Sequence, residues 1–280
     1  MKHKNNGLFQ RFALRTYLIV FSIIVVLPLI WSTYTSLKTS QEFFHDPWAL
    51  PATPHFQNYV IAWTSAKIGT YFFNSVFVTM LVVVIVALLG AMTAYAATRL
   101  RLRAGKALIS LYMVGMFIPT VLCVVPMFLQ FQRIQMLDSL LGLIILYVAV
   151  SMPFTVFVMS GFFQTLQREL EEAAYIDGCG YVRVFFSILM PLVRPGLATV
   201  SIFNFLGVWN EYVLAKTFIF SADKSTLPLG LVRLMQAARY KADWGSLFAG
   251  LTIIMIPTLI VYVIFQNQIT SGLTVGAVKG

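Results

Sequence analysis

The chain has 280 residues, of which 59% are hydrophobic and only 11% charged, with a formal net charge of +10. Soluble domains usually contain about 45–50% apolar and about 25% charged residues, so this chain has too few charges to cover a soluble fold. The composition excludes a soluble globular protein, a disordered chain and a disulfide scaffold, and it favours a polytopic membrane protein. We attribute the excess of Lys and Arg to cytoplasmic ends of membrane spans rather than to a nucleic-acid partner.

Long runs without charge predict six transmembrane helices, because about 20 apolar residues are needed to cross about 30 Å of hydrocarbon. These spans cover approximately residues 16–37, 71–98, 107–131, 139–163, 196–220 and 247–269. The predicted fold class is therefore all-α and polytopic, with a transmembrane domain at 16–271 between tails at 1–15 and 272–280. The first run is too long for the core of a signal peptide and no small-residue cleavage site follows it, so we interpret it as an uncleaved span.

Basic residues concentrate in the N-terminal tail and in the short loop after the second span. Lys and Arg near the ends of spans favour the cytoplasmic side, so six spans place both termini in the cytoplasm. The long fifth loop disagrees, because Lys224, Arg233 and other basic residues then lie outside. The rule weakens for long loops, and we keep the orientation.

The first loop, at 38–67, contains three prolines and five aromatic residues within residues 40–59 alone. This composition predicts a compact cap at the outer interface of the membrane. Two interpretations remain open. The loop is either an ordinary connector with interfacial aromatic residues or part of a docking surface for an external partner.

The fourth loop, at 164–194, is cytoplasmic in this topology and its pattern predicts a short helix that ends at Gly178. On that helix Ala173 and Ala174 form a knob of small residues. Acidic residues surround the knob, namely Glu169, Glu171, Glu172 and Asp177. Such a knob suits insertion into a groove on another protein.

The same stretch resembles the EAA motif of the permease subunits of ABC importers. In that motif E-A-A is followed at fixed spacings by G, I and P. The matching residues are Glu172, Ala173, Ala174, Gly178, Ile188 and Pro191, with Asp177 as a common extension. Met190 stands where the family usually has Leu, and Cys179 where Ala is usual; both side chains remain small or apolar.

Three further segments resemble the carbohydrate (maltose-type) branch of this family: P-H-F-Q-N-Y-V-I-A-W at 54–63, W-N-E-Y at 209–212 and the C-terminal G-L-T-V-G-A-V-K-G. The resemblance implies a non-catalytic permease subunit in the plasma membrane that translocates a sugar or oligosaccharide by alternating access. It implies four partner chains, namely a second related permease, two ATPase subunits and an extracytoplasmic solute-binding protein. It also implies a coupling helix, the EAA helix, between the fourth and fifth spans. The alternatives are an ABC permease for another solute and an ion-coupled secondary transporter.

The sequence lacks the motifs that are typical of ATP binding, metal binding and catalysis. The sequence contains no G-x-x-x-x-G-K-[ST], so ATP and Mg²⁺ are expected on the partner ATPase subunits and no cofactor on this chain. It contains no H-E-x-x-H, no Cys/His cluster and no G-x-S-x-G, so we expect neither a metal site nor catalytic residues. Cys123 and Cys179 show no paired spacing, so no disulfide is expected.

Polar residues on the fifth span predict a translocation path. Asn204, Gly207 and Glu211 are three and four residues apart, which places them on one face of a continuous helix, with Asn210 beside them. Hydrocarbon disfavours such groups, so this face is expected to point inward, near an outer gate. In the alternative interpretation, Glu211 extends to the outer interface and has no part in transport.

Overall fold

The structure is a computed structural model that describes residues 3–100 and 102–277. Within these residues no β-strand occurs, which confirms the predicted all-α class. In chain order the helices are α1 (His3–Thr35), α2 (Ser40–His45), α3 (Gln57–Trp63), α4 (Ile68–Arg99), α5 (Gly105–Phe117), α6 (Thr120–Arg133), α7 (Leu140–Thr165), α8 (Glu169–Ile176), α9 (Tyr181–Arg183), a π-helical turn (Val184–Leu189), α10 (Met190–Leu192), α11 (Arg194–Trp209), α12 (Val213–Phe218), a 3₁₀ turn (Ala222–Lys224), α13 (Leu227–Lys241) and α14 (Trp244–Ala277).

Four stretches among the described residues are helical, long and apolar enough to cross a membrane by themselves. They are Gln10–Thr35, Ile68–Arg99, Leu140–Thr165 and Trp244–Gln266. Two further candidates are bent pairs of helices, α5 with α6 and Tyr181–Leu192 with α11. The described chain therefore has four spans, or up to six if each bent pair is one span.

Proline accounts for both bends. The α5–α6 pair turns by 104° at Pro119, and Ile118 before it is extended (φ −83°, ψ 115°) because proline disfavours the helical conformation of its predecessor. The second pair turns by 78° just before Pro195, which occupies the first turn of α11 and lacks the N–H that would continue the preceding helix. Pro119 is thus the N-cap of α6, and Pro195 lies in the first turn of α11.

Helix boundaries differ from the sequence-based prediction at three places. The expected tails are helical where they are described, because α1 begins at His3 and α14 continues to Ala277; residues 1–2 and 278–280 lie outside the described residues. The predicted span at 196–220 is two helices, since α11 ends at Trp209 and α12 begins at Val213. The predicted fifth loop contains a helix, α13, that sequence analysis did not anticipate.

By internal contacts the chain divides into two units, and the first comprises residues up to 69 together with 231–255. In this unit the first loop packs against the end of α1, since the ring of Trp31 lies 5.5 Å from that of Trp48. Phe248 of α14 meets the same Trp31 ring at 5.1 Å. Lys38 is 1% exposed, and its Nζ donates to the carbonyl oxygens of Asp46 (3.0 Å) and Pro47 (3.2 Å). These contacts confirm the predicted compactness of the loop.

The second unit comprises residues 70–230 together with those from 256 on. Two apolar clusters form its core, one around Tyr147 and Phe218 and the other around Phe163 and Phe185. Between them α4 and α7 approach closely at Gly90. A Cβ added to Gly90 would lie 2.4 Å from Cγ2 of Thr155, so only glycine fits this approach without a shift.

We predict that Gly90→Ala lowers the thermal midpoint of the purified protein in lipid nanodiscs, with a cost of about 1–3 kcal/mol from overpacking. Thr155→Ser should restore the midpoint, because it removes Cγ2 and keeps the hydroxyl. The matched control is Gly161→Ala on α7, where an added Cβ meets nothing within 4 Å. Equal midpoints for the Gly90 and Gly161 variants would contradict the close approach.

Candidate functional site

The helix that carries the EAA-like residues, α8, ends at Gly178 as predicted. Gly178 has a φ of +79°, and its N–H donates to the carbonyl of Tyr175 (3.0 Å). The N–H of Cys179 donates to the carbonyl of Ala174 (2.9 Å). These two bonds and the left-handed residue form a Schellman motif, which satisfies the last carbonyls of the helix. Glycine is favoured at this position because it adopts a positive φ without steric cost.

Within the second unit, an ion pair ties α8 to two long helices. Nε of Arg99, the last residue of α4, donates to Oε1 of Glu171, and the two side chains are only 4% and 8% exposed. The same guanidinium donates to the carbonyl oxygens of Leu166 (3.1 Å) and Gln167 (3.2 Å), just after α7. One side chain therefore links the ends of α4 and α7 to α8.

Two details of the predicted knob are wrong. Glu171 was expected on an exposed rim, but it is buried because it compensates the charge of Arg99. Ala173 and Ala174 do not protrude together, since Ala174 is 5% exposed and packs among Phe163 and Phe185, whereas Ala173 is exposed. Sequence spacing placed both alanines near one face but could not decide which of them faces the core.

The exposed surface near α8 is mixed in character. Ile176 is 86% exposed and Val182, in α9, is 72% exposed. Glu172, Ala173, Asp177 and Gly178 are also exposed. Further along the motif, Ile188 is half-buried in the π-helical turn, and Pro191 is exposed in α10. An apolar and acidic surface of this kind can bind in a complementary groove of another protein.

The residues predicted to line a path do not all belong to one helix: Asn204 and Gly207 are three residues apart in α11, whereas Glu211 follows its C-cap. Asn204 is buried, and its Nδ2 donates to Oγ1 of Thr155 (2.8 Å). Gly207 is exposed. Asn210 is the C-cap of α11, and its Nδ2 donates to the carbonyl of Leu206 (2.8 Å).

Glu211 lies beyond the end of α11, so the assumption of a continuous helix through residue 211 is wrong. Its carboxylate accepts hydrogen bonds from the Tyr147 hydroxyl (2.6 Å) and from the N–H groups of Leu214 (2.7 Å) and Ala215 (3.0 Å). The two N–H groups belong to the first turn of α12, where backbone donors lack partners within the helix. In the sequence, an acidic residue directly before the start of a helix is the signal that predicts such a contact with the first turn.

Sequence analysis missed a second polar cluster, centred on Asp138. Its carboxylate accepts from the N–H groups of Phe220 and Ser221, both at 2.9 Å, and from Nζ of Lys224 at 3.2 Å. Burial raises the pKa of Asp138, but hydrogen bonds from Ser221 and Lys224 outweigh that effect and lower the pKa well below its usual range. Asp138 has a φ of +50°, a conformation that aspartate tolerates better than most residues.

Among the described residues, no group of three or more His, Cys, Asp or Glu side chains is placed to hold a metal ion. The polar groups described above bind one another and the backbone. They are suited to holding helix ends and to contacting other molecules.

Comparison with known proteins identifies the family. Residues 87–275 match the family described as "Binding-protein-dependent transport system inner membrane component". The chain is 39% identical over 272 residues to the diacetylchitobiose uptake system permease protein NgcG of Streptomyces coelicolor, covering 96% of this chain and 90% of that protein. It is 32% identical over 269 residues to the trehalose transport system permease protein SugB of Mycobacterium tuberculosis, covering 95% and 98%.

The fold also resembles a solved structure. A crystal structure of a bacterial ABC transporter involved in the import of the acidic polysaccharide alginate superposes with a TM-score of 0.81 and 22% identity, covering 95% of this chain and 98% of that one. At this identity the likeness shows the fold alone. By the family match and the relatives above, the chain belongs to the binding-protein-dependent transport system inner membrane components, the permease subunits of ABC importers.

Proposed function

We propose that the chain is one of two permease subunits of an ABC importer that carries a sugar or oligosaccharide across the plasma membrane by alternating access. The complex contains a second, related permease, two ATPase subunits that bind ATP and Mg²⁺, and an extracytoplasmic solute-binding protein. The chain itself performs no bond chemistry. Six spans, with each bent pair counted as one, keep both termini and the coupling loop in the cytoplasm.

The observation that carries this proposal is the attachment of α8 to two long helices. Its exposed surface, with Glu172, Ala173 and Ile176, is available to an ATPase subunit, while Glu171 is bound to Arg99 on the inner side. A displacement of α8 is therefore transmitted to the ends of α4 and α7 together, because Arg99 is bonded at both places. Closure of the ATPase dimer would in this way switch the permease between two discrete arrangements.

The sugar assignment rests on the named relatives, since NgcG is a diacetylchitobiose permease and SugB a trehalose permease. The complex should be reconstituted in liposomes with its ATPase and binding-protein subunits, and tested for uptake of diacetylchitobiose, trehalose, maltotriose and, as a control, glutamine. We expect ATP-dependent, saturable uptake of at least one sugar and none of glutamine. Uptake of glutamine alone would favour another solute class, and uptake driven by a proton gradient without ATP would favour a secondary transporter.

We predict the topology from the distribution of basic residues. With Cys123 and Cys179 replaced by serine, a cysteine at position 50, where Leu50 is 74% exposed, should react with a membrane-impermeant maleimide on intact cells. A cysteine at position 2 should react only after the cells are permeabilised. Labelling of position 2 but not of position 50 on intact cells would reverse the orientation.

For coupling, we predict that Gly178→Pro lowers transport at least tenfold while ATPase activity continues, because proline cannot adopt a φ of +79°. Gly178→Asn is the matched control, since asparagine tolerates this conformation. Glu172→Lys should uncouple transport in the same way, whereas Glu169→Lys, a charge reversal that is also exposed but lies outside the matched motif, should not. Parental transport by both the Gly178→Pro and Glu172→Lys variants would contradict the assigned role of α8.

A further inference from the structure

The short helix α12 cannot be stable through its own hydrogen bonds. It has six residues, Val213–Phe218, and isolated helices shorter than about 12–15 residues are marginal in water. Its formation must therefore depend on bonds and contacts from elsewhere in the chain. Within the second unit these come from both of its ends and from one face.

At its beginning α12 is held through Glu211. The carboxylate accepts from the N–H groups of Leu214 and Ala215, which have no partner within the helix, and from the hydroxyl of Tyr147 at 2.6 Å. Tyr147 is a residue of α7 and only 2% exposed, so its hydroxyl has a fixed position. Tyr147 thus orients the carboxylate, and the carboxylate orients the first turn of α12.

At its end α12 is held by Asp138, which lies two residues before the start of α7. The Asp138 N–H donates to the carbonyl of Phe218 (2.8 Å), the last residue of α12. The Asp138 carboxylate accepts from the next N–H groups along the chain, those of Phe220 and Ser221. The carbonyl of Asp138 also accepts from Nζ of Lys224 (2.7 Å).

The apolar face of α12 fixes its rotation. Leu214, Ala215 and Phe218 are buried, and the ring of Phe218 meets that of Phe131 edge-on at 5.3 Å. On the opposite side Val213 and Lys216 are exposed. The helix therefore presents one defined face away from the core of the second unit.

We propose that Tyr147, acting through Glu211, and Asp138 are positioning residues that fix α12 against α7 from its two ends. This rests on the proposed transport function and adds to it that the exposed face of α12 borders the translocation path. Glu211 then acts on transport by holding α12, and its oxygens bind the protein rather than sugar hydroxyls. The positions of Val213 and Lys216 relative to the solute depend on this attachment.

The first test measures hydrogen–deuterium exchange of the peptide at 211–219 in the assembled complex in nanodiscs. Tyr147→Phe removes one hydroxyl and should speed exchange at Leu214 and Ala215 about tenfold, since hydrogen bonds to charged groups are worth at least that factor. Tyr262→Phe, which removes a hydroxyl from a 55% exposed tyrosine on α14, is the matched control and should leave exchange at the parental rate. Parental exchange in the Tyr147→Phe variant overturns the proposal.

A double-mutant cycle separates action through Glu211 from independent packing. In a Glu211→Ala background Tyr147→Phe should have no further effect on exchange, because the carboxylate is gone. Asp138→Asn, which acts at the other end of α12, should add to Tyr147→Phe. If Tyr147→Phe speeds exchange by the same factor in the Glu211→Ala background, Tyr147 does not act through Glu211 and this part of the proposal is overturned.

The second test is transport. Tyr147→Phe should raise the KM for a transported sugar several-fold with kcat changed less than twofold, because a displaced α12 alters solute contacts rather than the ATPase cycle. Faster exchange with unchanged KM and kcat overturns the link between α12 and the path. If the parent complex transports no sugar at all, the proposed function fails, and the exchange measurements alone decide whether Tyr147 and Asp138 position α12.

Discussion

The ion pair between Arg99 and Glu171 is the contact on which the arrangement around α8 depends. Both side chains are nearly excluded from solvent, and removal of either partner leaves the other as a buried, uncompensated charge, at a cost of about 3–5 kcal/mol. An intact buried pair contributes little net stability relative to an apolar pair. Its effect is on geometry: the fixed fork of the guanidinium also binds the carbonyls that follow α7, so α8 has one position relative to two long helices.

The features that sequence analysis predicted correctly are those that local chemistry determines. A run without charge predicts a span from its own composition, and Gly178 ends α8 through bonds that lie within six residues of one another. None of these features requires knowledge of which distant segments meet.

The features that it missed depend on distant partners. Glu211 meets Tyr147 across 64 residues, and Asp138 meets Phe220 across 82. From spacing alone the chain after Trp209 continues as an apolar helix, and only those bonds reveal why α11 stops and α12 starts. The same limit explains the wrong prediction that Glu171 is exposed. Its position in a Glu-rich helix predicts a solvated side chain, whereas its burial depends on an ion pair with an arginine 72 residues away.

The first span behaves differently from the rest of the chain. In its most apolar window of 18 residues, within Gln10–Thr35, none of the residues is buried by other parts of the chain. Its helical conformation is therefore maintained by hydrocarbon, which penalises every unsatisfied peptide group, and not by side chains that fit together within the subunit. Natural variation in this window is consequently limited by hydropathy and by contacts outside the subunit, so exchanges among Leu, Ile, Val and Phe leave the internal packing of this chain unchanged.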